Sequence, residues 1–395
     1  MGTRLWGGAR AAWSARATRQ RANSLFSSLA KHQKETDGRE GGTMAEPKVS
    51  SSAPFRLLFA GVGIFPGGVT RTCQALESHP QIQVECVPED EIREKIHEFD
   101  MCVCRMSKFG RNILSRAAKL KLITQFGMGL EDVDIEAATE LGIRVARIPS
   151  AGTGNALACA EHAVYLILSL LRDQKGMTKS VQEAQIGQPE GRTLFGNTVL
   201  IVGFGGIGQK LAPLLKPFGV RILAVRPSWN QKYPSSSDDL EEVGESQLSD
   251  GTSKKDDIVD ERGGTEHLQK FLSRSDIVVL CCPLTPKTKG MVNKDFLSSM
   301  KQGALLVNVA RGGLMDYEAV TAALASGQLG GLATDVTWVE PIDPRDPIIN
   351  HPNVIVTPHI AGVTELSYKL MGHIVAKSAI QLYEGREVTD LEFVN

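Results

Sequence analysis

The chain has 395 residues, 42% hydrophobic and 23% charged, which suits a globular protein of two to three domains and excludes collagen, a disulfide-stapled miniprotein and wholesale disorder. Lys+Arg number 44 against Asp+Glu 45, so no global positive field exists to hold nucleic acid or an anionic membrane. The seven cysteines include no C-x-x-C pair, and the best apolar stretch, Ala163 to Leu171, is far short of the ~20 residues a bilayer needs.

Residues 1–43 carry eight basic and three acidic side chains. Arg4, Arg10, Arg16, Arg19, Arg21, Lys31 and Lys34 lie among Ala, Ser and Gly ahead of the first acid. That is the composition of an organellar transit peptide, which places the protein in a mitochondrion or plastid. The other reading makes this leader an artefactual extension, with translation starting at Met44 and a cytoplasmic protein. Both stay open.

The folded body begins at Phe55 with a buried-strand run. The pattern then predicts a strand over 100–104, a helix over 112–120 and a strand over 122–126. A helix over 133–141 and a strand over 143–148 follow. A long apolar helix spans about 156–172, and a polar link reaches Gly196. Thr198 opens a second series, with a helix over 207–215. Its later strands fall at 221–225, 276–282, 304–309, 332–336 and 353–356. Such alternation argues for parallel βα units. Residues 235–264 break the rhythm with ten acidic and three basic side chains, and read as a disordered acidic insertion because they bury too little apolar surface to offset ordering entropy. The last helix, about 365–383, is expected to pack back on the first series.

Gly203, Gly205 and Gly208 form a G-x-G-x-x-G run that directly follows a branched apolar strand and opens a helix. In that context the glycines permit a tight turn, close approach of a pyrophosphate and close helix–strand packing, with the helix N-terminus facing the phosphates. At the end of the next strand, where an acid would bind the ribose 2′-hydroxyl of NAD, the chain has Arg226 and Ser228. A guanidinium there suits a 2′-phosphate, so NADP is preferred and NAD remains possible. Arg311 follows a strand at its carboxyl end, where open α/β sheets bind ligands, and can clamp a carboxylate with two charge-assisted bonds. Glu340 and His359 also lie just beyond strands. Singly, His359 also reads as a hydrogen-bonded core residue, and Glu340 with Arg311 as an ion pair.

In order along the chain, the segments 282–288, 308–316, 335–341 and 357–362 resemble the D-isomer-specific 2-hydroxyacid dehydrogenase family, and the resemblance covers residues 55–390. It implies two Rossmann-like doubly wound α/β domains. One is a discontinuous substrate-binding domain, 54–158 and 360–395, and the other is an NAD(P)-binding domain, 159–359; the active site lies in the cleft, and a homodimer is expected. It implies a catalytic set of Arg311, Glu340 and His359, with Asp335 near the nicotinamide. Gly206, Ile207, Cys282, Pro283, Thr288, Val309 and Ala310 join the three glycines at the cofactor. Backbone amides of Met128 and Gly129 would receive the substrate carboxylate, and Arg105 could meet a phosphate. The implied chemistry is reduction of a small 2-keto acid, with glyoxylate or hydroxypyruvate preferred.

Three departures stand out: Glu131 and Asp132 where the family has Asp-Asn, Arg226 for the cofactor acid, and the long acidic loop. D-3-phosphoglycerate dehydrogenase is the enzyme alternative, which Glu131 weakens. Formate dehydrogenase resembles the chain at 155–162 but has glutamine where Glu340 stands. A reading of another class, an NAD(H)-sensing transcriptional corepressor, also stays open, with the acidic loop as its interaction segment. No nucleic-acid or membrane partner is expected.

Overall fold

The computed structural model describes residues 54–127, 129–150, 152–229 and 258–395. The leader, Met128 and the acidic stretch up to residue 257 lie outside the described residues. The first sheet starts with β1 (Phe55–Ala60), β2 (Ile82–Val87), β3 (Met101–Cys104), β4 (Leu122–Gln125) and β5 (Arg144–Arg147). They are parallel and lie in the order β2-β1-β3-β4-β5. The second holds β6 (Thr198–Val202), β7 (Arg221–Val225), β8 (Glu261–Gly263), β9 (Ile277–Leu280), β10 (Ala304–Asn308), β11 (Leu329–Thr334) and β12 (Val354–Val356). Its order is β8-β7-β6-β9-β10-β11-β12, again all parallel. A terminal β13 (Glu392–Phe393) runs antiparallel on β5. Both are doubly wound: strand order reverses beside β1 and beside β6, and ligands of such sheets bind outside the strand ends at that reversal.

Among the described residues six helices have nine or more residues: α1 (Pro66–Ala75), α2 (Asn155–Leu171), α3 (Gln174–Gln182), α4 (Gly206–Leu215), α5 (Tyr317–Ser326) and α6 (Glu365–Tyr383). The apolar α2 buries Ala160, Ala163, Leu166 and Ile167 against Val199, Ile201 and Val307 of the second sheet. The chain crosses back after β12. There α6 starts in a capping box in which Thr364 Oγ1 accepts from Ser367 N–H at 3.2 Å, which satisfies an otherwise unpaired first-turn donor. Its Met371, Val375 and Ala379 pack with Phe55, Leu57 and Phe59 of the first sheet, as expected. The two crossings lie side by side. A Cβ on Gly154 would meet Leu366 Cγ at 3.2 Å, and one on Gly362 would run into the Asn155 side chain.

Three expectations need correction. Only Arg111–Leu114 of the proposed helix over 112–120 is helical. The polar link before Gly196 contains α3, started by Asp173, whose Oδ1 accepts from Gly176 N–H at 3.0 Å. The end of the supposed disordered insertion 235–264 is ordered as β8. Edge pairing with β7 supplies its backbone partners, including Arg226 N–H to Gly263 O at 3.0 Å. Its acids are neutralised locally. Asp260 pairs with Lys216, and the Arg274 guanidinium holds the Glu261 carboxyl down to about 2.

Candidate active site

The loops leaving the carboxyl ends of β6, β9, β10, β11 and β12 carry nearly every site residue proposed from the sequence. After β6, Gly203 has φ 99° and would, with a Cβ, collide with Cys282 N at 2.6 Å. Only glycine lets this turn lie on the β9 loop that carries Cys282 and Pro283. Gly208 similarly lies against Gly203 O, at 2.7 Å from its own added Cβ. A Cβ on Gly205 would meet nothing within 4 Å. At the start of α4, Gly205 supplies no side-chain cap, and no acid occupies the first turn from Gly206 through Ile207. Uncapped N–H groups at the positive end of a helix, facing open space, fit a pyrophosphate.

Arg226 is half-buried at the end of β7 and Ser228 exposed just after it. Among the described residues no hydrogen bond or ion pair engages the Arg226 side chain. Two neighbours escaped the sequence analysis. Trp229 lies with its ring 5.4 Å from Phe204 of the glycine loop, and the Arg262 guanidinium is 5.8 Å from the Trp229 ring. Arg262 comes from β8, the strand hidden inside the acidic stretch. On the β9 loop, Thr288 Oγ1 donates to Pro283 O at 2.8 Å, closing the turn. Burial pushes the Cys282 thiol up to about 11, so it stays protonated and inert as a nucleophile.

The β10 loop is held by Asn308, which is fully buried. Its Oδ1 accepts from Ala310 N–H at 3.0 Å and its Nδ2 donates to Arg311 O at 2.9 Å. Val309 and Ala310 are buried, leaving Arg311 as the loop's polar projection. Arg311 Nη1 donates to Ala310 O at 2.8 Å, and Nε approaches Glu131 Oε1 at 3.3 Å. Gly129 lies so close that a Cβ would run into Arg311 Nη2. The Gly129–Glu131 loop of the first sheet and the arginine of the second are thus brought together. Met128 lies outside the described residues.

Beyond β11, Thr337 N–H donates to Glu340 Oε1 at 2.8 Å, and the other carboxylate oxygen meets His359 Nδ1 at 2.6 Å. With Nδ1 so engaged, Nε2 is the ring nitrogen left to act on a ligand. The Phe65 ring stands edge-on to the imidazole with centroids 5.6 Å apart. Residue 359 has φ 55°, unusual for a non-glycine residue, and its N–H donates to Asp335 O at 2.8 Å.

Asp335 is 1% exposed, and its carboxylate organises that turn. It accepts from Thr357 Oγ1 at 2.6 Å, Ile360 N–H at 2.9 Å and Ala361 N–H at 2.8 Å. Behind it, His162 Nε2 of α2 lies 3.0 Å from Thr357 Oγ1 and 3.5 Å from Asp335 Oδ1. Burial alone would push Asp335 up. The hydrogen bonds from His162, Thr357 and the two backbone amides outweigh it and hold the carboxyl below its usual value. His162 and Thr357 were missed because their partners are far away in sequence.

Arg105 does not lie where the sequence reading placed it. It is 4% exposed, with Nε donating to Ala60 O at 2.9 Å and its two other nitrogens to Ile64 O and Gly61 O. Three carbonyls of the loop after β1 hold the guanidinium that a phosphate would require, and burial lowers its pKa. Among the described residues there is no cluster suited to hold a metal ion, and no helix is long and apolar enough to cross a membrane.

Fold and glycine loop together define a doubly wound, dinucleotide-binding protein. The NAD-binding-domain pattern of the D-isomer specific 2-hydroxyacid dehydrogenases matches residues 164–248 and 246–361. A D-3-phosphoglycerate dehydrogenase of Methanocaldococcus jannaschii is 34% identical over 315 residues, covering 78% of this chain and 55% of that protein. A glyoxylate reductase of Pyrococcus furiosus is 31% identical over 310 residues, covering 76% of this chain and 84% of that protein. The crystal structure of the TT0316 protein from Thermus thermophilus superimposes with a TM-score of 0.69 at 27% identity, covering 86% of this chain and 100% of that one. The chain belongs to the D-isomer-specific 2-hydroxyacid dehydrogenase family. It spans about half the length of the curated phosphoglycerate dehydrogenases it matches.

Proposed function

We propose that this protein is an NAD(P)-dependent reductase of small 2-keto acids, glyoxylate or hydroxypyruvate, acting reversibly on the corresponding 2-hydroxy acids, of the D configuration where C2 is a stereocentre. The observation that carries the reading is the 2.6 Å pair of His359 Nδ1, beyond β12, and Glu340, beyond β11, with Arg311 projecting from a neighbouring strand end.

When bound, the nicotinamide cofactor supplies a hydride equivalent to C2. The oxygen left on that carbon needs a proton, and His359 Nε2 is the donor in reduction and the acceptor in oxidation. Glu340 fixes the ring orientation through Nδ1 and stabilises the imidazolium. Arg311 binds the substrate carboxylate and polarises the carbonyl, fixing the face presented for attack. Asp335 keeps the backbone of the histidine turn in register. The α4 N-terminus and glycine loop would hold the pyrophosphate, with Cys282, Pro283, Thr288, Val309 and Ala310 lining the nicotinamide side.

Arg226 and Ser228 favour NADPH over NADH, because a guanidinium and a hydroxyl donate to a 2′-phosphate whereas an acid would repel it. A charge-assisted bond of ~1.5–3 kcal/mol corresponds to roughly 10–150-fold in affinity. We place the substrate part at 54–158 and 360–395, the cofactor part at 159–359, and take the working form to be a homodimer. Residues 1–43 direct it to an organelle if they are a transit peptide. The phosphoglycerate dehydrogenase relatives favour a second reading, a phosphorylated 2-keto acid; Arg105, committed to three carbonyls, offers it no phosphate anchor.

The test is oxidation of NADPH and NADH by the purified protein with a panel of 2-keto acids. Turnover with glyoxylate or hydroxypyruvate, faster with NADPH, is expected, and Arg226→Asp should reverse the cofactor order. No turnover by protein that binds cofactor would refute the enzyme reading and favour a cofactor-sensing corepressor.

A further inference from the structure

Among the features of the site that the proposed chemistry leaves unused is Glu131. Its carboxylate lies 3.3 Å from Arg311 Nε, on the group that the reading above assigns to the substrate. The remaining donors are constrained too, since Nη1 is held by Ala310 O and Nη2 lies against Gly129. Next to Glu131, Asp132 adds a second acid, which burial and the Glu131 charge together push up. Lys108 and Arg311 are the cations that act on this pair, and Glu89 adds a further negative charge. Both partners of the Glu131–Arg311 pair are about a third exposed. Such a pair contributes little to stability and can exchange readily for another anion.

We infer that Glu131 is a specificity-determining residue that competes with the substrate for Arg311 and selects 2-keto acids bearing a single negative charge. The inference rests on Arg311 being the carboxylate clamp. An incoming carboxylate replaces the Glu131 carboxylate on the guanidinium, so one negative charge is exchanged for another of the same sign and the displaced one stays nearby. A substrate with a second anionic group, such as a phosphate or another carboxylate, meets that displaced charge and Asp132, two carboxylates against which exposed Lys108 sets a single positive charge. The exposed setting screens the repulsion but does not remove it, because the separations are shorter than the Debye length of ~8 Å. The site is therefore selective for small, singly charged acids by repulsion as well as by attraction.

The test measures binding of two unreactive acids, oxamate with one negative charge and 2-phosphoglycolate with more, to the NADPH-loaded protein by titration calorimetry. Wild type, Glu131→Gln, Glu131→Asp and Arg311→Lys are compared. Glu131→Gln should tighten both acids and raise the affinity for 2-phosphoglycolate relative to oxamate by about fivefold or more, the size of one screened charge at contact range. Glu131→Asp keeps the charge and should keep the wild-type ratio. A merely structural role for Glu131 would leave the ratio fixed. An unchanged ratio in Glu131→Gln overturns the inference and leaves the reductase reading standing. Oxamate binding that survives intact in Arg311→Lys overturns the clamp instead, and the inference with it. Protein folding is checked independently, since removal of this exposed pair should move Tm by no more than ~2 °C.

Discussion

Substituting Asp335 by Asn changes one oxygen to an NH2 group at nearly constant volume. In the fold that oxygen position matters. Oδ1 takes the Thr357 hydroxyl and Ile360 N–H, while Oδ2 takes Ala361 N–H at 2.8 Å. Asparagine can keep the first two contacts through its carbonyl, now as a neutral acceptor. Its NH2 then faces the Ala361 N–H, donor against donor, at a residue 4% exposed. Loss of a hydrogen bond to a charged group costs about 1.5–3 kcal/mol, and a buried donor left without a partner about 1–3 kcal/mol more. Local relaxation recovers part of this, so a net loss of about 3 kcal/mol is expected. For a domain of this size that lowers Tm by about 6–12 °C, since each kcal/mol shifts it by about 2–4 °C.

A pH signature separates this from simple loss of packing. Asp335 is held below its unfolded value of ~3.9. Its contribution to stability is therefore fully present above pH ~4 and is lost as pH falls through the folded value. Calorimetric melts of wild type and variant at pH 7 should differ most, and the difference should shrink below pH 4. kcat should fall as well, because the carboxylate that holds Ile360 and Ala361 also fixes the His359 turn. A variant melting within 2 °C of wild type at pH 7, with kcat/KM unchanged, would refute the assignment of Asp335 as the organiser of that turn.

His359→Asn should abolish most keto-acid reduction, by about 10²–10⁴-fold in kcat, while fluorescence titration shows NADPH still bound. Glu340→Gln should leave KM near wild type and lower kcat, because the imidazole loses its negative partner at Nδ1; equal loss of cofactor affinity would contradict that role. Gly312→Ala should disrupt the site, since a Cβ there runs into the Thr337 carbonyl next to the Glu340 loop, whereas Gly313→Ala meets only the flexible Leu284 side chain at 3.1 Å and should be tolerated; the two melting curves decide. If residues 1–43 are a transit peptide, mass spectrometry of the native N-terminus should find a start beyond residue 43 in organelle fractions; an acetylated or processed start at Met44 or Ala45 with cytosolic fractionation would eliminate that reading.

Most strands of both sheets were legible because runs such as those of β6, β9 and β10 are branched, apolar and buried on both faces, and the glycine loop gave the cofactor end directly, whereas β2, half-buried along its middle, and the two-residue β13 were not read. The final helix could be read at its observed limits from apolar spacing. What escaped has a common physical origin in long-range pairing. The polar α3 shows little apolar face, and its start depends on one Asp173 side chain. The short β8 exists because it extends the edge of β7 and finds Arg274 for Glu261, partners that composition cannot reveal. Arg105 carries the residue type that a phosphate would need, but its three carbonyl acceptors come from a loop more than forty positions earlier. The His162–Thr357 contact links positions 195 apart, so local sequence gives no hint of it.

The two places where the chain passes between its sheets touch each other, at Gly154 with Leu366 and at Gly362 with Asn155. Mechanically, two bodies joined by adjacent links behave like leaves on one pin: rotation about the pin is soft, while sliding and twisting are stiff. Displacement then grows with distance from the pin. His359, only three residues from Gly362 and tied through Asp335 to the same segment, would travel little in such a rotation. The Gly129–Glu131 loop is carried by the opposite leaf, so any rotation about the pin would change its approach to Arg311. A rotation about that pin would alter the surroundings of Arg311 while leaving the His359–Glu340 pair, both of whose residues are carried by the second sheet, undisturbed.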